Sequence, residues 1–301
     1  LVSAEVVTAD GKSLRASADE NADLFWGLRG GGGNFGVVTN FEFALHPVGP
    51  EVYSGLIVFP GEQGRSVLRA YRQLAASLGQ DTNLWAVLRK APPLPFLPES
   101  AHGTEIVAMA LFTTGGQAAG DRLAAQVRGF GTPVGEHVGM QPYSAWQQAF
   151  DPLLTPGARN YWKSHNFREL SDGLIDQAVA FASRLPSPHC EVFIGLLGGQ
   201  AASVAPDATA YAHRDANFVM NVHGRWEKAA EDGPGVAWAR QFFDATAEYA
   251  AGSVYVNFMT EDETARVGSA YGANLARLKQ IKRIYDPGNL FRLNQNIDPN
   301  G

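Results

Sequence analysis

Glu51-Val52-Tyr53-Ser54-Gly55-Leu56-Ile57-Val58-Phe59-Pro60, running on into Gly61-Glu62-Gln63-Gly64-Arg65-Ser66-Val67-Leu68-Arg69-Ala70-Tyr71-Arg72-Gln73-Leu74-Ala75-Ala76-Ser77-Leu78, is the stretch on which the fold turns. Its first half is rich in β-branched and aromatic residues and predicts a strand over 53–59. In the second half Val67, Leu68, Tyr71, Leu74, Ala75 and Leu78 recur at helical spacing, which predicts a helix over 62–78. Outward from there, strands are expected at 84–88 and 105–113, a helix at 117–130 and a strand at 134–138. That order, βαββαβ, is the ferredoxin-like unit. It is read a second time downstream, as a strand at 160–167, a helix at 172–185 capped by Ser171, strands at 191–197 and 217–223, a helix at 236–250 and a strand at 254–258. Two such units define an α+β class with one large antiparallel sheet, helices on one face, and the other face left to cover something.

The flanks read differently. Asp10-Gly11 joins two short strand patterns, 5–9 and 13–17, as a hairpin. A short helix-like piece at 21–29 leads into the glycine cluster Gly30 to Gly33, and a strand-like run at 37–45 stops at His46-Pro47. A domain edge therefore falls near Val48, dividing the chain into 1–47, a central 48–253 and a closing segment 254–301. That last segment predicts a helix over 264–285 and then the turn Asp286-Pro287-Gly288-Asn289.

Composition limits the function classes. With 301 residues, 45% hydrophobic and 18% charged, the chain has ample material for a large core, and its net charge of -6 argues against a nucleic-acid surface. The most apolar stretch, 192–205, is cut by Gly195, Gly198, Gly199 and Gln200, short of the roughly 18 apolar residues of a membrane span. A single cysteine, Cys190, excludes an intrachain disulfide framework and reads as a small buried residue. The histidines show no zincin-type spacing, so no metal site is expected, and no G-x-S-x-G elbow supports a hydrolase. The partner expected is a small molecule, with no nucleic acid and no membrane; the sequence leaves oligomeric state open. The chain opens on Leu1 and runs straight into a strand pattern, so the natural N-terminus and any targeting signal are expected upstream. The compartment is read as cytoplasmic.

Gly31-Gly32-Gly33-Asn34-Phe35-Gly36 satisfies G-x-G-x-x-G. A dinucleotide fingerprint needs a strand before the glycines and a helix after them, and here that order is reversed. The run is then either a side-chain-free backbone against a cofactor or a tight surface turn.

The longer motif Asp23-Leu24-Phe25-Trp26-Gly27-Leu28-Arg29-Gly30-Gly31-Gly32-Gly33-Asn34-Phe35-Gly36-Val37-Val38-Thr39 resembles the end of the flavin-binding domain of berberine bridge enzyme-like oxidoreductases, in the vanillyl-alcohol-oxidase-type (PCMH-type) superfamily. Tyr255-Val256-Asn257-Phe258, Tyr271-Gly272, Lys282, Tyr285-Asp286-Pro287 and Gln295-Asn296-Ile297 resemble that family's C-terminal signature, and Thr209-Ala210-Tyr211-Ala212-His213-Arg214 resembles a segment common in its bacterial members. The resemblance implies FAD as cofactor, the final part of the flavin domain in 1–47, a substrate-binding domain in 48–253, and a C-terminal segment returning to the flavin domain. It also implies that the pyrophosphate loop and the covalent flavin anchors lie before Leu1, so that this chain alone binds FAD poorly.

The reaction so implied is hydride transfer from a small alcohol, sugar or related substrate to flavin N5, with a base taking the adjacent O–H proton. The alternative is a non-catalytic ligand-binding domain that has kept the fold without redox activity. Cofactor contact is expected at Gly32, Gly33, Asn34, Phe35, Gly36, Val37, Val38, Tyr255 and Asn257. In many members the base is the tyrosine closing a Tyr-x-Asn-Tyr motif, and Phe258 stands at that position. Candidate bases are therefore Tyr255 and His213, with Lys163 weighed as a third and placed, with Phe258, among the substrate contacts. Each has a purely structural reading: a tyrosine bonded to backbone, a solvated histidine, a lysine turned to solvent. Read as a strand, 254–258 sets Tyr255 and Asn257 on one face and Phe258 on the other.

Overall fold

The computed structural model describes residues 1–293 and 295–301. They form two compact units, one of residues 1–47, 201–215 and 252–301, the other of residues 48–200 and 216–251. Among the described residues no helix is long and apolar enough to cross a membrane.

In the first unit β1 (Ser3–Val7) and β2 (Ser13–Ser17) form the hairpin expected from Asp10-Gly11, with Val7 opposite Ser13 and Gly11 at φ +80°. Helix α1 (Ala22–Leu28) and the glycine run follow, and β3 (Val37–Glu42) returns antiparallel along the other side of β1. Ala4 and Val6 of β1 are buried with Leu24, Phe25 and Phe35 in this unit's core.

The second unit is built on one antiparallel sheet. Its elements are β4 (Glu51–Pro60), α2 (Gly64–Ala75), β5 (Thr82–Lys90), β6 (Glu105–Thr113), α3 (Gly116–Arg128) and β7 (Gly135–Pro142), the order expected of the first βαββαβ unit. After a short α4 (Tyr143–Gln148) come β8 (Arg159–Phe167), α5 (Asp172–Ala182) and β9 (Glu191–Leu196), and, past the single turn α6 (Gln200–Ser203) whose last three residues belong to the first unit, β10 (Phe218–Trp226) and α7 (Asp232–Thr246). Strand order is β7-β4-β6-β5-β9-β10-β8, the two halves joining where β5 pairs with β9. Every second residue of each strand points to the helices: Ile57, Phe59, Leu84, Met109, Val192 and Val222 meet Val67, Leu68, Tyr71, Leu123 and Phe242 in one buried cluster. The periodicity that predicts α2 is thus the face it buries. Helix α5 starts as read, with Ser171 Oγ accepting from Leu174 N at 3.3 Å. Ser171→Ala should cost about 1 kcal/mol in a urea titration followed by circular dichroism; an unchanged midpoint would show the cap is idle.

The closing segment corrects the sequence reading. Residues 254–258 form no strand: Val256–Phe258 is a 3-10 turn, its backbone satisfied by Phe258 N donating to Tyr255 O at 2.9 Å. The second half of the sheet is therefore βαββα. The helix expected over 264–285 is broken into α8 (Val267–Tyr271) and α9 (Leu275–Tyr285), because Gly272 at φ +52° and ψ -135° cannot continue a helix. Residues 201–215, read as part of a continuous 48–253, belong to the first unit.

Candidate functional site

Residues of the alternate parity form the sheet's other face. Val58 pairs with Ala108, Val87 with Phe193 and Trp85 with Gly195, and over them lies a cavity of about 350 Å³ walled also by Leu94, Phe150, Leu153 and Leu154. Trp85, Trp146 and Phe150 pack ring against ring at 5.3 to 6.2 Å. Such a hollow receives an apolar or aromatic body.

At one end the lining turns polar. Glu191 Oε2 accepts from Arg89 Nη1 at 2.7 Å, and Glu191 Oε1 lies 3.6 Å from His223 Nδ1. Burial pushes the Glu191 carboxyl up, but His223, Arg89 and Arg225 outweigh it and hold the group below the ordinary carboxylate range. Glu191 therefore stays ionised as the fixed counter-charge of Arg89. His223 Nε2 meets Asn160 Oδ1 at 3.1 Å; since that oxygen also accepts from Arg225 Nη1, the imidazole is the donor.

Sequence reasoning missed Trp162 and Asn221. Both stand on this face, Trp162 opposite His223 and Asn221 opposite Ser164 and Phe193, and among the described residues neither Trp162 Nε1 nor Asn221 Oδ1, both buried, has a hydrogen-bond partner. A buried donor and a buried acceptor left open are what a polar ligand satisfies. Strand parity across Tyr161 to Phe167 carries the signal, because it puts Trp162 on the face opposite Tyr161 and Lys163.

That parity also corrects Lys163. It pairs with Val222, a core residue of the helix-covered side, and its ammonium lies 5.3 Å from the Tyr161 ring centroid, with only 6% of the residue exposed. Lys163 points into the helix layer, so neither a substrate contact nor a base on the open face is available to it.

In the first unit the glycine run divides. Gly32 and Gly33 are exposed, whereas Asn34, Phe35 and Gly36 are buried. Asn34 Nδ2 donates to Gly31 O at 2.8 Å and Gln295 O at 3.2 Å while its Oδ1 accepts from Ile297 N at 2.9 Å, so that side chain is spent on the unit itself. Phe35 is fully buried in the core, and what Asn34 and Phe35 can offer a ligand is backbone alone. A Cβ on Gly36 would stand 2.6 Å from Val6 Cγ1 and Val7 O, so this glycine answers to packing against β1. Burial pushes the neighbouring Tyr271 phenol up to about 12, keeping it a neutral donor to Gly31 O at 3.3 Å.

Tyr255 and Phe258 do not take opposite faces. A 3-10 turn brings i and i+3 to one side, and the two rings meet edge to face at 5.1 Å. Asn257 Nδ2 donates to Tyr255 Oη at 2.8 Å. Val38 is half-buried and Val37 is 55% exposed. His213 Nε2 lies 2.7 Å from Ser269 O and 2.9 Å from Ala270 O. Both are carbonyls, so Nε2 carries a proton and the ring anchors the segment before Gly272. That nitrogen is not a base.

Residues 254–298 match the family model described as berberine and berberine like. An FAD-linked oxidoreductase of Dictyostelium discoideum is 27% identical over 302 residues, covering 99% of this chain and 63% of that protein. The (R)-6-hydroxynicotine oxidase of Paenarthrobacter nicotinovorans is 28% identical over 321 residues, covering 100% of this chain and 66% of its own. In fold the chain superposes on BBE-like 1 of Physcomitrella patens with a TM-score of 0.84, over 99% of this chain and 65% of that one, at 18% identity. The closing segment thus resembles the berberine family model, nearly the whole chain aligns with FAD-linked oxidoreductases, and its fold is that of berberine bridge enzyme-like structures. The chain spans 56% to 66% of the length of eight such curated relatives.

Proposed function

We propose that the chain serves an FAD-dependent oxidoreductase that removes a hydride from a small organic alcohol, sugar or related substrate. The observation that carries this reading is the alignment of nearly the whole chain with FAD-linked oxidoreductases. The first unit fits the cofactor at one place: Gly32 and Gly33 leave backbone bare of side chains, Gly32 at φ +69° where, among the described residues beyond its chain neighbours, a Cβ would meet only Asn34 Nδ2 at 3.7 Å and Tyr271 Oη at 3.8 Å, and β3 continues from there with Val37 and Phe41 more than half exposed. Gly32, Gly33, Val37 and Val38 would hold the group through backbone N–H and apolar contact. When bound, FAD supplies the hydride acceptor.

The chain's own residues supply binding and proton transfer. In the second unit, taken by itself, the apolar cavity on the sheet offers room for an apolar ligand body. Tyr255, steadied by Asn257, exchanges the proton, because Lys163 is turned into the helix layer and His213 is fixed on two carbonyls. Phe258, with no proton to give, lends an apolar edge.

Two glycine variants test the cofactor assignment. In the complete protein Gly33→Val should keep native circular dichroism and lose flavin, since the position is exposed; Gly36→Val should lose the fold, since its Cβ meets β1. Flavin content and far-ultraviolet circular dichroism are measured on both. Full flavin in folded Gly33→Val would reduce the run to a surface turn.

A further inference from the structure

Beside the apolar cavity a second hollow, of about 900 Å³, opens at the ends of β5 and β10, and the two share Arg89, Pro92 and Leu153 in their walls. Three permanent cations line it, Arg89, Lys90 and Arg225, against the one carboxylate Glu227. In a chain of net charge -6 this is a locally basic place.

The cations differ in what they already hold. Arg89 is neutralised by Glu191. Arg225 is 93% buried by its 7% exposure, yet its guanidinium donates only to neutral acceptors, Asn160 Oδ1 at 3.1 Å and the Thr155 carbonyl. Among the described residues no carboxylate lies within 4.0 Å of it, and two of its five N–H donors are spent. Lys90 makes no ion pair or hydrogen bond through its ammonium among the described residues, and His102 Nε2, on the same wall, is buried without a partner. A desolvated guanidinium that feels Glu191 only at a distance and hydrogen-bonds to neutral acceptors alone is costly to keep, and the cost is recovered when a ligand brings an anion into contact.

We propose that this hollow is the anion subsite of the substrate site and that the ligand is a carboxylate on an aromatic body: the ring lies in the apolar cavity against Trp85 and Phe193, and the carboxylate is received by Arg225 and Lys90. With Arg89 cancelled by Glu191, Arg225 and Lys90 against Glu227 leave one positive charge, which matches a monoanion. The fork geometry of Arg225 suits two carboxylate oxygens. The subsite stands on these contacts alone; only the oxidation of the ligand rests on the reading of the chain as an oxidoreductase.

Calorimetric titration of the FAD-loaded protein with 4-(hydroxymethyl)benzoate, with its uncharged isostere 4-(hydroxymethyl)benzamide, and with inorganic phosphate tests the assignment. The benzoate should bind at least about tenfold more tightly than the amide, the ratio expected when a charge-assisted pair replaces a neutral one. Arg225→Gln should erase that ratio. Lys90→Gln, at a partly exposed position where folding is not at stake, should reduce it about threefold or more while leaving amide binding unchanged. Equal affinities for acid and amide, a ratio unmoved in Lys90→Gln, or phosphate binding as tightly as the benzoate would each overturn the proposal. Flavin bleaching on anaerobic mixing is read in parallel. Tight, selective binding without bleaching would leave the carboxylate subsite standing and count against the redox reading.

Discussion

In the complete protein Tyr255→Phe should slow anaerobic flavin reduction by about 10²- to 10⁴-fold, the contribution of a positioned proton-transfer group, with flavin content and circular dichroism unchanged. Of the candidate bases, Tyr255 alone keeps its exchangeable proton uncommitted. Asn257 donates to the phenolic oxygen, a contact that also stabilises the charge this oxygen carries when it acts as the base toward a substrate O–H. Phe258→Tyr adds a second hydroxyl on the same side of the turn, beside a ring 5.1 Å away, and should raise the rate with simple alcohols. Stopped-flow reduction of both variants and the parent protein decides it. A Tyr255→Phe rate within twofold of the parent would move the proton to a group outside this turn.

The second large effect is on stability. Lys282 and Asp286 are both fully buried, their charged ends 2.6 Å apart, and Lys282 also donates to Asn34 O at 2.8 Å and Phe291 O at 2.7 Å. One ammonium thus ties the backbone beside the glycine run to the turn after α9. Lys282→Met leaves the Asp286 charge buried and two carbonyls without a donor, and should cost about 3–5 kcal/mol. The double variant Lys282→Met, Asp286→Leu should recover part of that, because no charge is left uncompensated. Burial pushes the Asp286 carboxyl up, but Lys282 and the N–H groups of Phe291 and Leu290 outweigh it and hold it below the ordinary carboxylate range. For a lowered carboxyl the folded state binds the proton less readily than the unfolded one. The stabilisation is therefore complete above the unfolded value of about 3.9 and fades as pH falls through the folded one. Urea midpoints between pH 3 and pH 7 should drop at the acid end in the parent and less in the double variant. A Lys282→Met midpoint equal to the parent's would show that the pair contributes nothing net.

What was legible in the sequence is what local chemistry decides. The hairpin at Asp10-Gly11 follows from the backbone freedom of Gly11, the cap at Ser171 from a hydroxyl within reach of Leu174 N, and α2 from apolar residues at 3.6-residue spacing. The βαββαβ order of residues 53–138 came from the same periodicities. The C-terminal signature also pointed to the family from residue types and order alone.

What the tertiary structure decided depends on partners far away in the chain. Residues 254–258 have strand composition, but a strand exists only where another strand accepts its backbone bonds, and with none there the segment closed on itself as a turn that brought Tyr255 and Phe258 together. Charge in a sequence carries no direction. Lys163 was sent to the helix side by the register of β8 against β10, and His213 was tied to carbonyls 56 and 57 residues away. Arg225 is one cation among 24, and only folding shows that it is buried among neutral partners while Glu191 answers Arg89 instead. Periodicity is a property of neighbours along the chain, whereas the pairing of buried charges and open polar atoms is a property of neighbours in space, which the packed sheet alone brings together.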